Sequence, residues 1–388
     1  MTERDQGKTI GLDAHPDMFT MAVVSGSDAR TAKVEKVVDR APMGELVRLI
    51  GKHATEQDVV VLEASTNSFL VVKLLAEAGI RAVVVGSDTV SKMGSQYAVT
   101  DRIDAIKLAR AWIAGLAKIV WTPDGKAAER RTLYFAYRNA KKDATRQRNR
   151  LWNWCCMNGL RAPKKRRLKA VPEFERLVEL PRWTPLQRGI LEDMVRTYRL
   201  ACDRRERYAG LMTEEVVSDP QTLRLMRLLG VRSIVAFALV AFIGNIDRFA
   251  DPKKLVAYVG LNPNVCRSGK GGGNGPLPHA GRSDLRSLLV QAAHSMLRWS
   301  KGSIREWGLR LCARKGRNIA VCGVARKLTV AIWYVLKGLY VPEIADTSLR
   351  TKLAKMAVEI GRDRLQAMGF TKPEHFIEEK FQIIRSFA

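Results

Sequence analysis

The chain has 388 residues, of which 46% are hydrophobic and 27% charged, and this composition excludes an intrinsically disordered chain. Its 66 Lys and Arg residues against 39 Asp and Glu residues give a net charge of +27, so a polyanion is the expected partner. Because the positive charge is clustered along the chain, we favour nucleic acid over an anionic membrane surface.

Residues 8–120 alternate between strand and helix patterns. Apolar, β-rich runs predict strands at Lys8–Leu12, Met18–Val24, Val34–Val38, Val59–Leu62 and Arg81–Val85. Helical spacing predicts helices at Met43–Ile50, Phe69–Ala78 and Asp101–Ile113. Three early strands followed by strand–helix units indicate a mixed sheet flanked by helices, as in ribonuclease-H-like folds, over residues 1–125.

The segment 126–220 has helical periodicity and almost no strand signal, which predicts two long helices joined by a loop. Between Lys126 and Lys169, fifteen Lys or Arg residues stand against two acids. Trp152 and Trp154 lie within this stretch and either stack on nucleobases or belong to the core. The candidate nucleic-acid contacts in this segment are Arg146, Arg148, Arg150, Lys164, Lys165, Arg166 and Arg167.

The segment 221–345 begins with short apolar helices around a glycine turn. Leu228–Val231 followed by Ile234–Ile243 resembles a helix-hairpin-helix element, whose turn offers backbone N–H groups to a phosphate. A glycine-dense loop and further helices to about Tyr340 follow, so we expect a mainly α C-terminal domain. Residues 346–388 have the pattern of a small helical extension.

Four carboxylates occupy positions typical of a metal site. Asp13 closes the first strand, Glu63 closes the apolar strand Val59–Leu62, and Asp101 and Asp104 share a face at the start of a helix. If the two strands are parallel neighbours, Asp13 and Glu63 emerge at the same edge of the sheet. Oxygen ligands of this kind suit Mg²⁺, and two such ions stabilise the attacking and leaving oxygens of phosphoryl transfer. We therefore expect these four residues to be catalytic and to bind two Mg²⁺ ions.

Other interpretations of these acids remain open. A carboxylate at a strand end is often a turn residue, and Asp101 could be a helix N-cap. Asp17 and Asp88 are possible substitutes within the metal site. His15 is close to Asp13 in sequence, and we interpret it as a hydrogen-bonding turn residue.

Ser268 lies where an ordered element gives way to the glycine-dense loop, with cations nearby in sequence. A serine hydroxyl becomes a nucleophile when a base or a metal assists it and cations neutralise the phosphate. An anion-binding loop without chemistry and a simple linker are the competing interpretations. The candidate phosphate contacts around this serine are Arg267, Lys270, Arg282 and Arg286.

The chain resembles the insertion-sequence transposases that carry a RuvC-like DEDD domain, a family related to the Piv DNA invertases. Asp13, Glu63, Asp101 and Asp104 match the DEDD pattern of that family. The C-terminal match runs through Leu228–Val231, Asn245–Phe249, Ala257–Pro263, Arg267–Gly269 and Leu285–Arg286. The resemblance covers residues 8 to about 340 and implies a RuvC-like domain at 1–125, a basic coiled-coil-like segment at 126–220 and a C-terminal transposase domain at 221–345. The helical extension at 346–388 has no counterpart in it.

This resemblance also implies a site-specific recombinase that cleaves and rejoins double-stranded DNA at element ends and target. The resemblance implies that Ser268 forms a covalent phosphoserine link with DNA beside the Mg²⁺-binding acids. The serine motif and the DEDD acids of one such site often come from different subunits. A homo-oligomer, either a dimer or a tetramer, and a structured guide RNA are the implied partners. Two departures are Arg267, where many members have a second Ser, and His279, where many have a Lys.

Two alternatives lie outside this assignment. A RuvC-like nuclease would hydrolyse branched DNA with water as the nucleophile, and a nucleic-acid-binding protein would use the acids only structurally.

The six cysteines form no CxxC pair, and the apolar run Ile234–Ile243 falls short of the ~20 residues of a membrane helix. We therefore expect a cytoplasmic, nucleoid-associated protein that does not contact a membrane.

Overall fold

A computed structural model describes residues 7–87, 89, 100–160, 170–268, 271–278, 280–300 and 302–387, with the backbone alone at 265–268 and 271–274. Several residues singled out in the sequence lie outside this part of the chain. They are Asp88, Lys164, Lys165, Arg166, Arg167, Lys270 and His279. Contacts between Cα atoms divide the chain into two compact units, residues 1–124 and residues 125–388.

The first unit contains a six-stranded mixed sheet, which confirms the α/β prediction for this part of the chain. Its strands are β1 Thr9–Ala14, β2 Met18–Ser25, β3 Lys33–Pro42, β4 Val59–Glu63, β5 Ala82–Val85 and β6 Ile119–Val120. Their order is β3-β2-β1-β4-β5-β6, with β1, β4 and β5 parallel and the other neighbours antiparallel. The helices are a 3₁₀ turn Met43–Glu45, α1 Leu46–Gly51, α2 Ser68–Glu77 and α3 Asp101–Ile113.

Helix α3 packs closely across β1 because β1 has a glycine at the crossing point. A Cβ atom on Gly11 would lie 1.8 Å from the carbonyl oxygen of Ala105, so no other residue fits there without moving the helix. Ala105 and Ala109 of α3 are fully buried against this face of the sheet. The close approach brings the first turn of α3 to the same edge of the sheet as the end of β1.

The second unit begins with two long antiparallel helices, α4 Gly125–Met157 and α6 Pro185–Val217, with the short helix α5 Val171–Val178 between them. Arg130 near the start of α4 lies 3.2 Å from Glu215 near the end of α6, and Gln187 near the start of α6 donates to Asn158 after α4. The helical character of this segment is confirmed, whereas a coiled-coil geometry stays a prediction.

The rest of the second unit is mostly helical, as the sequence predicts. Its helices are α7 Pro220–Leu225, α8 Ser233–Ile243, a 3₁₀ turn Ile246–Arg248, α9 Pro252–Val259, α10 Ser283–Trp299, α11 Ser303–Lys315, α12 Arg317–Leu336, α13 Asp346–Ile360, α14 Arg362–Ala367 and α15 Pro373–Ser386. Gly230 (φ 79°) and Gly260 (φ 80°) make left-handed turns that change the chain direction around α8 and α9. A helix-hairpin-helix likeness stays a prediction.

The glycine-dense segment differs from the loop that its composition predicts. Strand β7, Val265–Ser268, pairs antiparallel with β8, Gly271–Asn274, and the register places Ser268 opposite Gly271. Glycine has low strand propensity because it has no side chain to pack, so its density favours a loop in any sequence-based assignment. Here the pairing is supplied by backbone hydrogen bonds, for which no side chain is required.

Helix α12 forms part of the core of the second unit. Among the described residues it is the one helix long and apolar enough to cross a membrane by length and composition, and half of that stretch is buried inside the protein. Its side chains Val324, Leu328 and Ile332 are almost completely buried in the core cluster shared with α8 and α10. Packing inside the unit therefore accounts for the apolar character of this helix.

Candidate active site

Two of the predicted carboxylates lie at adjacent positions on the carboxyl edge of the sheet. The parallel register of β1 and β4 pairs Leu12 with Leu62, and the next residue on each strand is Asp13 and Glu63 respectively. Both leucines are fully buried, whereas both acids are partly exposed. Buried strands thus end at this edge in two carboxylates that reach the solvent.

The other two predicted carboxylates lie in the first turn of α3. Thr100 caps this helix, since its side chain accepts a hydrogen bond from the backbone N–H of Ile103 at 3.3 Å. Asp101 is therefore not the N-cap, which was one of its possible roles. Oδ1 of Asp104 is shielded from solvent and has no hydrogen-bond partner among the described residues.

Asp13, His15 and Asp101 form a compact group at this edge. One ligand atom from each lies within 4.8 Å of the others. Nε2 of His15 is 3.7 Å from Asp13 and 3.8 Å from Asp101. Burial raises the pKa of the Asp13 carboxyl above its usual value, His15 opposes that shift, and the negative charges of Asp101 and Asp104 add to it. Glu63 lies at the same edge but is not a member of this group.

Arg40 is a further member of the site that the sequence does not reveal. It has a φ of 48° at a bulge where Thr20 of β2 faces both Asp39 and Arg40 of β3. The Thr20 hydroxyl fixes this bulge, because it donates to Asp39 at 2.9 Å and accepts from the backbone N–H of Arg40 at 3.1 Å. The Nε atom of Arg40 lies 3.9 Å from Oδ2 of Asp101.

The donor set fits a hard divalent cation. Asp13 and Asp101 offer carboxylate oxygens close together, and the shielded oxygen of Asp104 lacks any partner among the described residues. An unpaired carboxylate away from water is costly, and a bound cation would remove that cost together with the repulsion between the acids. His15 lies beside both aspartates and offers a nitrogen ligand to the same cation, whereas the sequence alone indicates only a turn residue at this position.

A second predicted site, around Ser268, belongs to the other unit. Arg286 of α10 holds the chain on both sides of the β7–β8 hairpin, since its Nη1 donates to the carbonyls of Gly260, Pro278 and Ala280 at 3.1, 2.7 and 3.3 Å. Arg282 lies over the ring of Phe242, 4.4 Å from its centroid. The predicted contact of Arg286 and Arg282 with phosphate stays a prediction, as do the roles of Arg267 and Ser268, whose side chains lie outside the described part of the chain.

The predicted basic contacts of the middle segment lie on α4. Arg146 and Arg150 are exposed and Arg148 is half-buried. Arg146 is 3.2 Å from Asp143, one turn earlier on the same helix. Trp154 packs against Trp183 with ring centroids 5.1 Å apart, so this tryptophan contributes to the core beneath the basic surface.

Comparison with known proteins gives two family matches on different parts of the chain. Residues 10–154 match a model of the DEDD transposase domain of the IS110 type, described as a transposase. Residues 223–307 match the model described as the transposase IS116/IS110/IS902 family. The first match includes all four predicted carboxylates, and the second includes the β7–β8 hairpin and most of the flanking helices.

Three relatives have similar sequences. A protein of Sinorhizobium fredii named as a transposase, y4qE, is 26% identical over 301 residues, covering 71% of this chain and 74% of the relative. The transposase for insertion sequence element IS1328 of Yersinia enterocolitica is 27% identical over 44% of this chain and 50% of its own length. The transposase for IS1111A of Coxiella burnetii is 30% identical over 29% of this chain and 32% of its own length.

Proposed function

This chain belongs to the IS110 family of insertion-sequence transposases with a DEDD domain, and we propose that it is a site-specific recombinase that cleaves and rejoins DNA through Ser268. The observation that carries this proposal is the carboxylate group at the edge of the sheet, where Asp104 has a shielded oxygen without a partner among the described residues. A cation-binding carboxylate group is what phosphoryl transfer requires.

Asp13, Glu63, Asp101 and Asp104 are proposed to hold two Mg²⁺ ions in a RuvC-like, ribonuclease-H-like domain. Bound there, Mg²⁺ would polarise a phosphate and stabilise the charge that develops on its oxygens. Burial first, and then the negative charges of Asp101 and Asp104, raise the pKa of Asp13, and a bound cation would oppose both effects, which supports this assignment. Arg40 and His15 would add positive charge and a hydrogen-bond donor beside the same acids.

The proposed covalent step is a transfer of the DNA phosphoryl group to Ser268. The serine oxygen forms a bond with phosphorus, the bond between phosphorus and one sugar oxygen breaks, and the serine proton ends on the departing sugar hydroxyl. A hydroxyl of the new DNA partner then attacks the phosphoserine and restores the serine. Because a phosphodiester is exchanged for a phosphodiester at each stage, no energy source is needed for rejoining.

The way that Arg286 holds the flanks of the hairpin supports a fixed position for this nucleophile. Of its three carbonyl partners, Gly260 precedes the hairpin in the chain, and Pro278 and Ala280 follow it. The segments that enter and leave the hairpin are therefore both hydrogen-bonded to the same arginine side chain. A nucleophile is effective when its position is set before the reaction.

The partners that we propose are double-stranded DNA at the element ends and target, a structured guide RNA and further copies of the chain in a dimer or tetramer. The net charge of +27 supports binding to nucleic acid, and the basic surface of α4 supplies candidate phosphate contacts. The DNA substrate implies that the protein acts in the cytoplasm, at the nucleoid.

The test is incubation of the protein with element-end DNA, its flanking transcript and Mg²⁺, followed by a denaturing gel. A protein–DNA adduct that forms only with Mg²⁺ supports the recombinase. Cleavage without any adduct would favour the RuvC-like nuclease that uses water, and binding without metal-dependent cleavage would favour a binding protein.

A further inference from the structure

The second unit has an open cavity of about 820 Å³ between α11 and α12, away from the hairpin in sequence and unused by the proposed chemistry. Its lining combines three aromatic side chains with two cations and no acid. The aromatic and basic lining residues are Trp307, Tyr334, Tyr340, Arg326 and Lys327.

Packing contacts support two of the aromatic rings of this cavity, Trp307 and Tyr334. The Trp307 ring packs closely on Gly323 of α12, where a Cβ atom would lie only 3.0 Å from the ring. Tyr334 stands edge-on against Trp333 with centroids 5.1 Å apart, and the Trp333 indole N–H donates to the carbonyl of Phe249 at 3.0 Å. Tyr334 and Tyr340 nonetheless remain 39% and 49% exposed, so their faces are accessible to a ligand.

The charge around the cavity is strongly positive. Residues 303–340 contain eight Lys or Arg and a single acid, Glu306. Nζ of Lys327 lies 4.5 Å from the centroid of the Trp307 ring, which puts a cation directly beside the aromatic surface. Within the described part of the chain, no carboxylate forms an ion pair with Arg326 or Lys327.

We propose that this cavity binds a single-stranded nucleic acid, with unpaired bases stacked on the exposed aromatic rings and phosphates held by Arg326 and Lys327. Exposed aromatic faces and neighbouring cations are the two features that recognise an unpaired strand without reading its sequence. A duplex is excluded from this contact because its bases already stack on one another. Like the proposed function, this site requires a nucleic-acid partner, but it does not require Ser268 or the carboxylates.

The experiment uses the full chain and a photoreactive thiothymidine placed within a single-stranded oligothymidylate of about 12 nucleotides, a length in the range of known single-strand sites. Irradiation, digestion and mass spectrometry locate the cross-linked peptides. We expect labelling within residues 303–340, and we expect a duplex of the same length to give none there. Labelling confined to other peptides, or equal labelling by the duplex, would overturn the proposal.

Variants decide whether the aromatic faces and cations are responsible. Tyr334→Ala and Lys327→Gln should each lower labelling of this segment about tenfold, the size expected when one base–aromatic stack or one phosphate interaction is removed. Trp299→Ala is the matched control, because Trp299 is 76% exposed and has Arg298 near its ring but does not line the cavity. Retained labelling in both cavity variants, or an equal loss in Trp299→Ala, would contradict the proposal.

Two parallel measurements separate this site from its alternatives. If Tyr334→Ala changes the molar mass of the protein in solution but leaves labelling intact, the cavity joins copies of the chain and the proposal is wrong. The covalent-adduct assay is run on the same samples. Adducts without labelling in this segment would overturn the cavity assignment alone, whereas labelling without adducts would overturn the serine chemistry alone.

Discussion

The Nε atom of Arg40 lies 3.9 Å from Oδ2 of Asp101, although Arg40 has a left-handed backbone conformation with φ of 48°. Such a conformation costs a residue with a side chain on the order of 1–2 kcal/mol, so the surrounding structure must hold it in place. The Thr20 hydroxyl does so by accepting from the Arg40 backbone N–H. The bulge therefore directs the Arg40 guanidinium towards the carboxylates, where the proposed function requires a DNA phosphate.

We predict that Arg40→Gly lowers DNA cleavage roughly tenfold or more, the loss expected for one charge-assisted hydrogen bond. Glycine adopts the left-handed conformation without strain, so the melting temperature should stay the same or rise. Arg40→Lys keeps the positive charge and should retain more cleavage than Arg40→Gly. Unchanged cleavage in the glycine variant would show that Arg40 has only a structural role.

The second prediction concerns the carboxylates. Glu63→Gln and Asp104→Asn should each abolish strand cleavage, because loss of one charge weakens metal binding, while the fold and DNA binding persist. Cleavage is measured on labelled DNA, and Mg²⁺ binding is measured by calorimetry. Glu56→Gln is the control, since Glu56 is an exposed acid of the same unit outside the carboxylate group, and this variant should cleave DNA normally. Near-normal cleavage by Glu63→Gln or Asp104→Asn would remove that residue from the site.

Much of this first site follows from local sequence rules. The apolar runs before Asp13 and Glu63 predict two strands, which would bring both acids to one edge if they paired in parallel, and the sheet has that pairing. The helix predicted at Asp101–Ile113 has these bounds in the structure. Both inferences depend on periodicity and on turn residues, which act within a few residues of one another.

The remaining features depend on contacts between residues far apart in the chain. Nothing in the sequence around Gly11 shows that Ala105 will lie against it, although this contact sets the position of α3 over β1. The bulge at Arg40 arises from a side chain on the neighbouring strand. The pairing of glycine-rich β7 and β8 likewise comes from the backbone, so residue propensities could not predict it.

A third prediction tests the basic surface of α4. Replacing Arg146, Arg148 and Arg150 together by Ala should weaken DNA binding and reduce the slope of log affinity against log salt by roughly one unit for each phosphate that the variant no longer neutralises. The control removes Arg196, Arg204 and Arg207, three exposed arginines of α6, and lowers the net charge by the same amount. An equal change of slope in both variants would mean that net charge alone governs binding.

A fourth prediction concerns the packing of the C-terminal helices. Nζ of Lys352 on α13 donates to the carbonyls of Met226 and Leu228 at 2.7 and 2.8 Å, and burial lowers the pKa of Lys352 to about 7. Since the unfolded chain has the ordinary value of 10.5, it binds more protons than the folded chain between these two pH values. The contribution of Lys352 to the free energy of unfolding therefore rises with pH through this window.

The measurement compares urea unfolding of the wild type and Lys352→Met at pH values from the lower to the upper part of this window. The wild type should gain stability relative to the variant as the pH rises. Parallel stability curves would show that Lys352 is not buried between these carbonyls.

The central claim is that Ser268 forms a covalent bond with DNA. It is tested most directly by mass spectrometry of the protein after reaction with element-end DNA, flanking transcript and Mg²⁺, comparing the wild type with Ser268→Ala and Cys266→Ala. Cys266 lies two residues away on β7 and is the alternative nucleophile of the same strand. We predict a nucleotide-modified Ser268 in the wild type and in Cys266→Ala, and no adduct in Ser268→Ala. Adducts in Ser268→Ala that disappear in Cys266→Ala, or cleavage by the wild type without any adduct, would contradict the claim.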